Sequence, residues 1–277
     1  MVLFLVYIAI ARTKYSFRGV PANEVDALPR NTIESAVILR SVRFAEYHKR
    51  ISLLTEGAGL IEATAYGAFK GRSKLAGATE SFVQIRGHLY FEPVRARYKL
   101  SDADAIETFD GIRNNLKKFY VASLISELIL VTYAGGDEHA SLFPLLVQLF
   151  SFLSECPVAA ADLVLIQAIQ RFLALVGFPA VWSECAQCGV DIRTAEYRFV
   201  SRGGTVLCNG CRRGECSRVT YAGSRYISAT ESLEVMRALQ EGLDESSISG
   251  LQRGLVSIAQ SVVETPLWTL NSAAGYL

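Results

Sequence analysis

Two cysteine pairs, Cys185-Ala-Gln-Cys188 and Cys208-Asn-Gly-Cys211, constrain this chain more than any other stretch. A two-residue spacer bends each pair into a tight turn, and the nineteen residues between the pairs suit a hairpin that brings one turn back to the other. Gly189 follows the first pair and Arg212-Arg213-Gly214 the second, so both knuckles have a turn-former or a basic cluster behind them. The leading reading is one zinc ion held tetrahedrally by Cys185, Cys188, Cys208 and Cys211, with disulfides or free thiols as the alternatives. Four thiolates leave no coordination position for water, so such a zinc is structural rather than catalytic.

The 277 residues are 51% hydrophobic, which supplies material for more than one buried core and argues against a largely disordered chain. A formal net charge of +1 hides a division along the chain. Residues 31–99 hold eleven Lys or Arg against six Asp or Glu, a surplus of five that leaves −4 for the remainder. A basic front beside an acidic, apolar back is the pattern expected when one domain meets a polyanion. Six cysteines are too sparse for a secreted disulfide framework, so a reducing, cytoplasmic compartment fits better. Cys156 lies between apolar helical runs and reads as a core thiol; Cys216 is a spare-ligand candidate at the wrong spacing for the pair motif.

Met1 to Ala11 is apolar, but it lacks a basic leader and is too short to span a bilayer. Residues 1–30 read as an unstructured or misassigned extension, with a packed extra strand or a targeting segment as alternatives. Elsewhere no apolar run reaches about 18 residues without a charge, so no membrane partner is expected.

From Ala36 the pattern is that of strands: Ala36–Phe44, Arg50–Thr55, Leu60–Gly67, Ser81–Arg86 and Leu89–Val94, the last two split by Gly87. Five short strands with glycine turns predict a small barrel over 31–100, of which the five-stranded OB type is one solution. Ser101 to Asp104 then reads as a cap, followed by helical spacing over Ile112–Ala134, Leu142–Leu153 and Ala159–Val176. The cysteine segment, 183–218, interrupts this pattern, with Tyr197–Val200 and Thr205–Leu207 flanking Gly203-Gly204 as a hairpin. Helical pattern returns over Ala229–Glu241 and Ile248–Val263. The expected fold class is therefore α+β and multidomain: an N-terminal OB-type β-barrel, then an all-α helical bundle in two parts, 101–182 and 219–277, with a four-cysteine zinc module inserted between them.

The strongest functional signal is cationic. Lys70, Arg72 and Lys74 alternate in the loop after the third strand, Tyr66 and Phe69 precede them, and Lys49 and Arg50 open the second strand. Single-strand binders combine a cationic groove for phosphates with aromatic faces on which bases stack; an ordinary solvated face with core aromatics is the plain alternative. Enzymatic signatures are missing. None of the three histidines, His48, His88 and His139, sits in the zinc-deaminase pattern, and there is no phosphate loop, dinucleotide fingerprint or serine-hydrolase elbow. A non-enzymatic protein is expected. A zinc-containing adaptor that binds proteins and not nucleic acid is the second reading. A zinc hydrolase survives only if fewer than four thiolates hold the metal.

The order of parts, and three local stretches, resemble the bacterial DNA repair and recombination protein RecO family. The stretches are Glu46-Tyr-His-Lys-Arg-Ile-Ser-Leu-Leu-Thr-Glu-Gly-Ala-Gly-Leu60, Gly67-Ala-Phe-Lys-Gly-Arg-Ser-Lys-Leu75, and Leu173-Ala-Leu-Val-Gly-Phe178 leading to Glu184-Cys-Ala-Gln-Cys-Gly189. The resemblance spans about Asn31 to Leu277. It implies a recombination mediator that binds single- and double-stranded DNA, anneals complementary strands, binds the acidic tail of single-strand DNA-binding protein, and works with RecR to load RecA. It also implies that Lys70, Arg72 and Lys74 match the family's DNA-facing loop and the four cysteines its zinc ligands. Residues 1–30 precede the usual family start. No Lys or Arg follows Arg253, so no docking residues for the acidic tail are assigned from sequence.

Overall fold

A computed structural model of the chain describes residues 31–70, 73–93, 97–132, 139–263, 265–273 and 275–276; the expectations for residues 1–30 and the loop position of Arg72 lie outside these. The described residues form two compact units, one of 31–154 with 268–273, the other of 155–267 with 275–276.

The first unit is built on β1 (Asn31–Phe44), β2 (His48–Thr55), β3 (Gly59–Ala65), β4 (Gln84–Glu92) and β5 (Arg97–Glu107), closed into a barrel in the order β1-β2-β3-β5-β4. All neighbours are antiparallel except β3 and β5, which run parallel and complete the ring. β1 serves two partners: its first half pairs with β4 up to Val37, and after an irregularity between Ile38 and Arg40 its second half continues along β2. Such a bulge sharpens the local bend that closing a small barrel requires. The interior is filled by Ile38, Ile51, Leu53, Ile61, Val83, Ile85, Leu89 and Leu100, all buried. The five-stranded OB-type barrel expected from the sequence is present.

The identity of two strands differs from that expectation. Ser81–Arg86 and Leu89–Val94 are not separate strands, because Gly87 lies inside β4, opposite Glu34 and Ala103. A Cβ there would come within 3.0 Å of Leu100 and 3.1 Å of Ile85, so the glycine makes room in the core and not a turn. The fifth strand is Arg97–Glu107, which contains the Ser101–Asp104 stretch expected to cap a helix. Only Leu100 and Ala103 of β5 are buried, so it has too little apolar alternation to announce itself; its pairing with β3 and β4 holds it.

A one-turn helix, α1 (Leu75–Ala78), fills the connection from β3 to β4, and α2 (Asp110–Arg113), α3 (Leu116–Thr132) and α4 (His139–Glu155) follow the barrel. Helix α3 is buried continuously from Lys118 to Ile129, as a central helix must be when its apolar residues surround it. Phe82 meets Phe119 and Phe150 edge-on at 5.4 and 5.6 Å. Buried Glu127 of α3 accepts the N–H groups of Trp268 and Thr269 at 2.7 and 2.9 Å, which ties the terminal helix α9 (Trp268–Ser272) into this unit.

The second unit contains α5 (Ala161–Leu175), a three-stranded sheet of order β7-β6-β8 made from β6 (Tyr197–Ser201), β7 (Val206–Leu207) and β8 (Cys216–Thr220), and then α6 (Tyr221–Thr230), α7 (Val235–Ala238) and α8 (Glu245–Val262). The expected C-terminal helices and inserted cysteine module are thus present, with α3, α4 and α9 in the first unit and α5 to α8 in the second. The expected helix over 229–241 is instead α6 and α7. Thr220 caps α6 through the N–H of Gly223, and Gly223, Ser224 and Ser228 weaken the local helical signal. The apolar stretch Val158–Leu175 has the length and composition of a membrane span, but it is 56% buried inside this unit.

Helix α8 lies so close to β8 that a Cβ on Gly250 would fall 2.2 Å from the carbonyl oxygen of Arg218. Gly250→Ala is therefore expected to destabilise the second unit by about 1–3 kcal/mol, a loss that chemical denaturation followed by far-ultraviolet circular dichroism would register.

Candidate nucleic-acid interface and metal centre

One end of the barrel gathers the aromatic and cationic side chains. The turn between β1 and β2 (45–47) and the segment after β3 meet there, held by the Phe69 N–H donating to Tyr47 O at 3.1 Å and the Gly67 N–H donating to His48 Nδ1 at 2.9 Å. Gly67 sits at φ +73°, a left-handed turn that an L side chain rarely adopts, and it reverses the chain after Tyr66. Tyr47, Tyr66 and Phe69 are exposed and lie on the two neighbouring turns at this end. Guanidinium or ammonium groups lie over neighbouring rings: Arg50 over Phe44 at 4.5 Å, Arg43 over Phe69 at 5.4 Å and Lys99 over Tyr66 at 5.7 Å. Lys70 and Lys74 are exposed on the loop itself. None of these five cations has a carboxylate partner among the described residues.

Arg50, Tyr66, Phe69, Lys70 and Lys74 of the expected set thus belong to this end of the barrel. Lys49 does not face solvent, and its reading as a phosphate contact is corrected. Its side chain is 3% exposed, and Nζ lies 2.6 Å from a carboxylate oxygen of Glu80 and 3.0 Å from Ala76 O. Arg43 and Lys99 were not expected. Arg43 lies opposite Lys49 in the β1–β2 register, and Lys99 reaches Tyr66 because β5 pairs with β3 at Thr64. The signal for Lys99 was available only to a reading that recognised β5.

The metal-ligating group is in the second unit. The sulfurs of Cys185, Cys188, Cys208 and Cys211 all lie within 4.8 Å of one another, and Cys188 and Cys208 are 3.8 Å apart. A metal–sulfur bond of about 2.3 Å in a tetrahedron sets sulfurs about 3.8 Å apart, whereas a disulfide needs about 2.05 Å. No cysteine is in a disulfide. The two knuckles form as the spacing implies: Gly189 N–H donates to Cys185 O at 2.8 Å with Gly189 at φ +70°, and Arg212 N–H donates to Cys208 O at 3.2 Å. The Ala186 N–H donates to Val206 O, which ties the first knuckle to β7. Burial pushes the Cys185 thiol up, but N–H groups of Cys208, Cys188 and Gln187 outweigh it and hold this thiol down at about 6. Hydrogen bonds with Cys188 and Cys208 push Cys211 up to about 12. Four thiols this close cannot all ionise beside one another without a cation, so the donor set fits a thiophilic metal ion. Cys216 is not among the four; it lies on β8 opposite Ser201, its thiol 3.4 Å from Arg213 O.

The second unit also holds a cavity of about 440 Å³ that the sequence did not announce, with Gln170, Arg171, Trp182, Arg198 and Arg225 among its walls and Ala180 and Val181 at its apolar side. Burial holds Arg171 and Arg198 below the usual guanidinium value. Trp182 Nε1 and Gln170 Oε1 are buried with no hydrogen-bond partner among the described residues.

A closed OB-type barrel with an exposed aromatic and cationic end, followed along the chain by helices and a four-cysteine centre, defines a class of multidomain protein. The family models give the same architecture: Recombination protein O N terminal matches residues 30–109, and Recombination protein O C terminal matches residues 113–270. The chain belongs to the RecO family of DNA repair proteins. Similar proteins include the DNA repair protein RecO of Anaeromyxobacter dehalogenans (strain 2CP-C), 26% identical over 75% of this chain and 78% of that one. That of Desulforudis audaxviator (strain MP104C) is 30% identical over 64% of this chain and 69% of its own length. That of Caldanaerobacter subterraneus subsp. tengcongensis is 25% identical over 78% and 84%.

Replacing Cys188 or Cys208 by serine should abolish stoichiometric metal binding and lower the melting temperature of the second unit, because the module's three short strands have little core of their own. Metal content and thermal unfolding of the purified variants measure both effects.

Proposed function

We propose that this protein is a non-enzymatic recombination mediator of gap repair in the cytoplasm. It binds single- and double-stranded DNA, anneals complementary strands, and acts with RecR to place RecA on DNA covered by single-strand DNA-binding protein. The carrying observation is the cluster of exposed Tyr47, Tyr66 and Phe69 with Arg43, Arg50, Lys70, Lys74 and Lys99 at one end of the barrel. Cations there replace counterions on phosphates, and the rings offer sequence-tolerant stacking. The site matches the usage of OB barrels, which bind oligonucleotides through strands 2 and 3 and the loop between strands 1 and 2. The metal is read as one structural zinc, the ion that four thiolates at tetrahedral spacing select.

We read the cavity in the second unit as the docking place for an acidic protein tail, which the sequence leaves unassigned. Exposed Arg225 and the unpartnered N–H of Trp182 suit carboxylates, and Val181 and Ala180 suit an apolar residue beside them. This supports single-strand DNA-binding protein as a partner and needs no cation beyond Arg253.

Replacing Lys70, Arg72 and Lys74 by alanine should weaken binding to all single-stranded oligonucleotides alike and flatten the salt dependence by about two to three units, measured by fluorescence anisotropy over a salt series. An adaptor without nucleic-acid binding would instead show no complex at low salt with the unaltered protein. Arg225→Glu should reduce binding of a synthetic acidic tail peptide about tenfold in calorimetric titration and leave oligonucleotide binding unchanged.

A further inference from the structure

We propose that Lys49 is a positioning residue that staples the basic loop into register with the barrel; the inference rests on the nucleic-acid reading of that loop. The connection from β3 to β4 leaves the barrel at Tyr66 and returns at Phe82, and Phe69, Lys70 and Lys74 lie on it. Three attachments fix this excursion. Ala68, Leu75 and Ala78 plug into the barrel core; the Phe69 N–H reaches Tyr47 O; and Lys49 Nζ spans to the far side of the loop. There it meets Ala76 O at 3.0 Å, the Glu80 carboxylate at 2.6 Å and, at the edge of hydrogen-bond distance, Thr79 O at 3.5 Å.

The chemistry of this arrangement is specific to an ammonium group. A one-turn helix leaves its carbonyls without intrahelical partners, and three N–H donors at one point can serve several of them together. Taking a charge out of water is costly unless it is matched, and Glu80 matches it from the loop's own end. The same Nζ lies 5.1 Å from the centre of the Phe69 ring, so it also bears on the stacking platform. Lys49 itself is too buried to reach a phosphate, and Glu80, whose side chain is 44% exposed, is an acidic group held beside a surface that binds a polyanion. Electrostatics alone would disfavour a carboxylate at that place; a staple requires one.

That conflict gives the test, read as single-stranded DNA affinity in the full-length protein. Removing the exposed negative charge by Glu80→Ala should strengthen binding if charge alone counted. The staple instead predicts binding weakened about threefold to fivefold with the far-ultraviolet spectrum unchanged. Equal or tighter binding in this variant overturns the proposal. A double-mutant cycle is the second arm. Lys49→Met should weaken binding in the wild-type background and have no further effect in a chain already carrying Phe69→Ala, Lys70→Ala and Lys74→Ala. Additive effects would mean that Lys49 acts on DNA directly and would overturn it. If the loop variant by itself leaves binding unchanged, the interface reading falls and the staple with it. In the other two contrary results the interface stands and only the staple fails.

Discussion

The parallel pairing of β3 with β5 is the contact on which the first unit depends. Four antiparallel pairings give an open curved sheet with two exposed edges; the fifth, at Ala63, Thr64 and Ala65 against Tyr98, Lys99 and Leu100, removes both. Leu100 can enter the core only from this register, and Lys99, one residue earlier, then faces the opposite side, beside Tyr66. Closure of the core and placement of Lys99 on the cationic surface are thus one event. The part of the surface that β5 carries inherits the rigidity of the barrel and not the mobility of a loop.

The second unit solves a different problem. Its sheet has strands of five, two and five residues, too little to bury a core on one face alone. Two supports make up the difference. The four thiols tie the chain at 185–188 to the chain at 208–211, and helix α8 lies against β8 at a distance only glycine at 250 allows. Arg198 adds a third tie, its buried guanidinium donating to the carbonyls of Trp182, Arg193 and Ala195 and so bracing the strand against the stretch that precedes it. The basic residues of this module are therefore divided in use. Arg198 serves the fold, whereas Arg212 and Arg218 lie over the rings of Phe199 and Tyr197.

Much of this was legible in the residues because the relevant signals are local. The spacing of the cysteine pairs fixes two knuckles without reference to the rest of the chain. What the sequence concealed depends on partners distant along the chain. Gly87 reads as a break and is instead a place where Leu100 and Ile85 need space. Ser101–Asp104 reads as a helix cap because its exposed residues are acidic or small; only the neighbours on either side show that it belongs to a strand. The cavity in the second unit likewise joins Gln170 and Arg171 of α5 to Trp182 and Arg225, residues that no short window contains together.

The misreading of Lys49 has the most instructive cause. Lys49 and Arg50 read as two cations opening one strand, but successive residues of a strand point to opposite faces, so in a closed barrel no more than one of the two can be on the outer surface. Ile51 and Leu53 share the parity of Lys49, and both belong to the barrel core, which Leu54 does not. An inward lysine at the mouth of a barrel needs an acceptor set, and the nearest available one is the segment that crosses that mouth. The carbonyls of Ala76 and Thr79 and the carboxylate of Glu80 meet the need. A run of like charges on a strand therefore measures two quantities at once, the charge presented to a partner and the charge used to hold the presenting surface in place. Strand parity separates them before any coordinate is known.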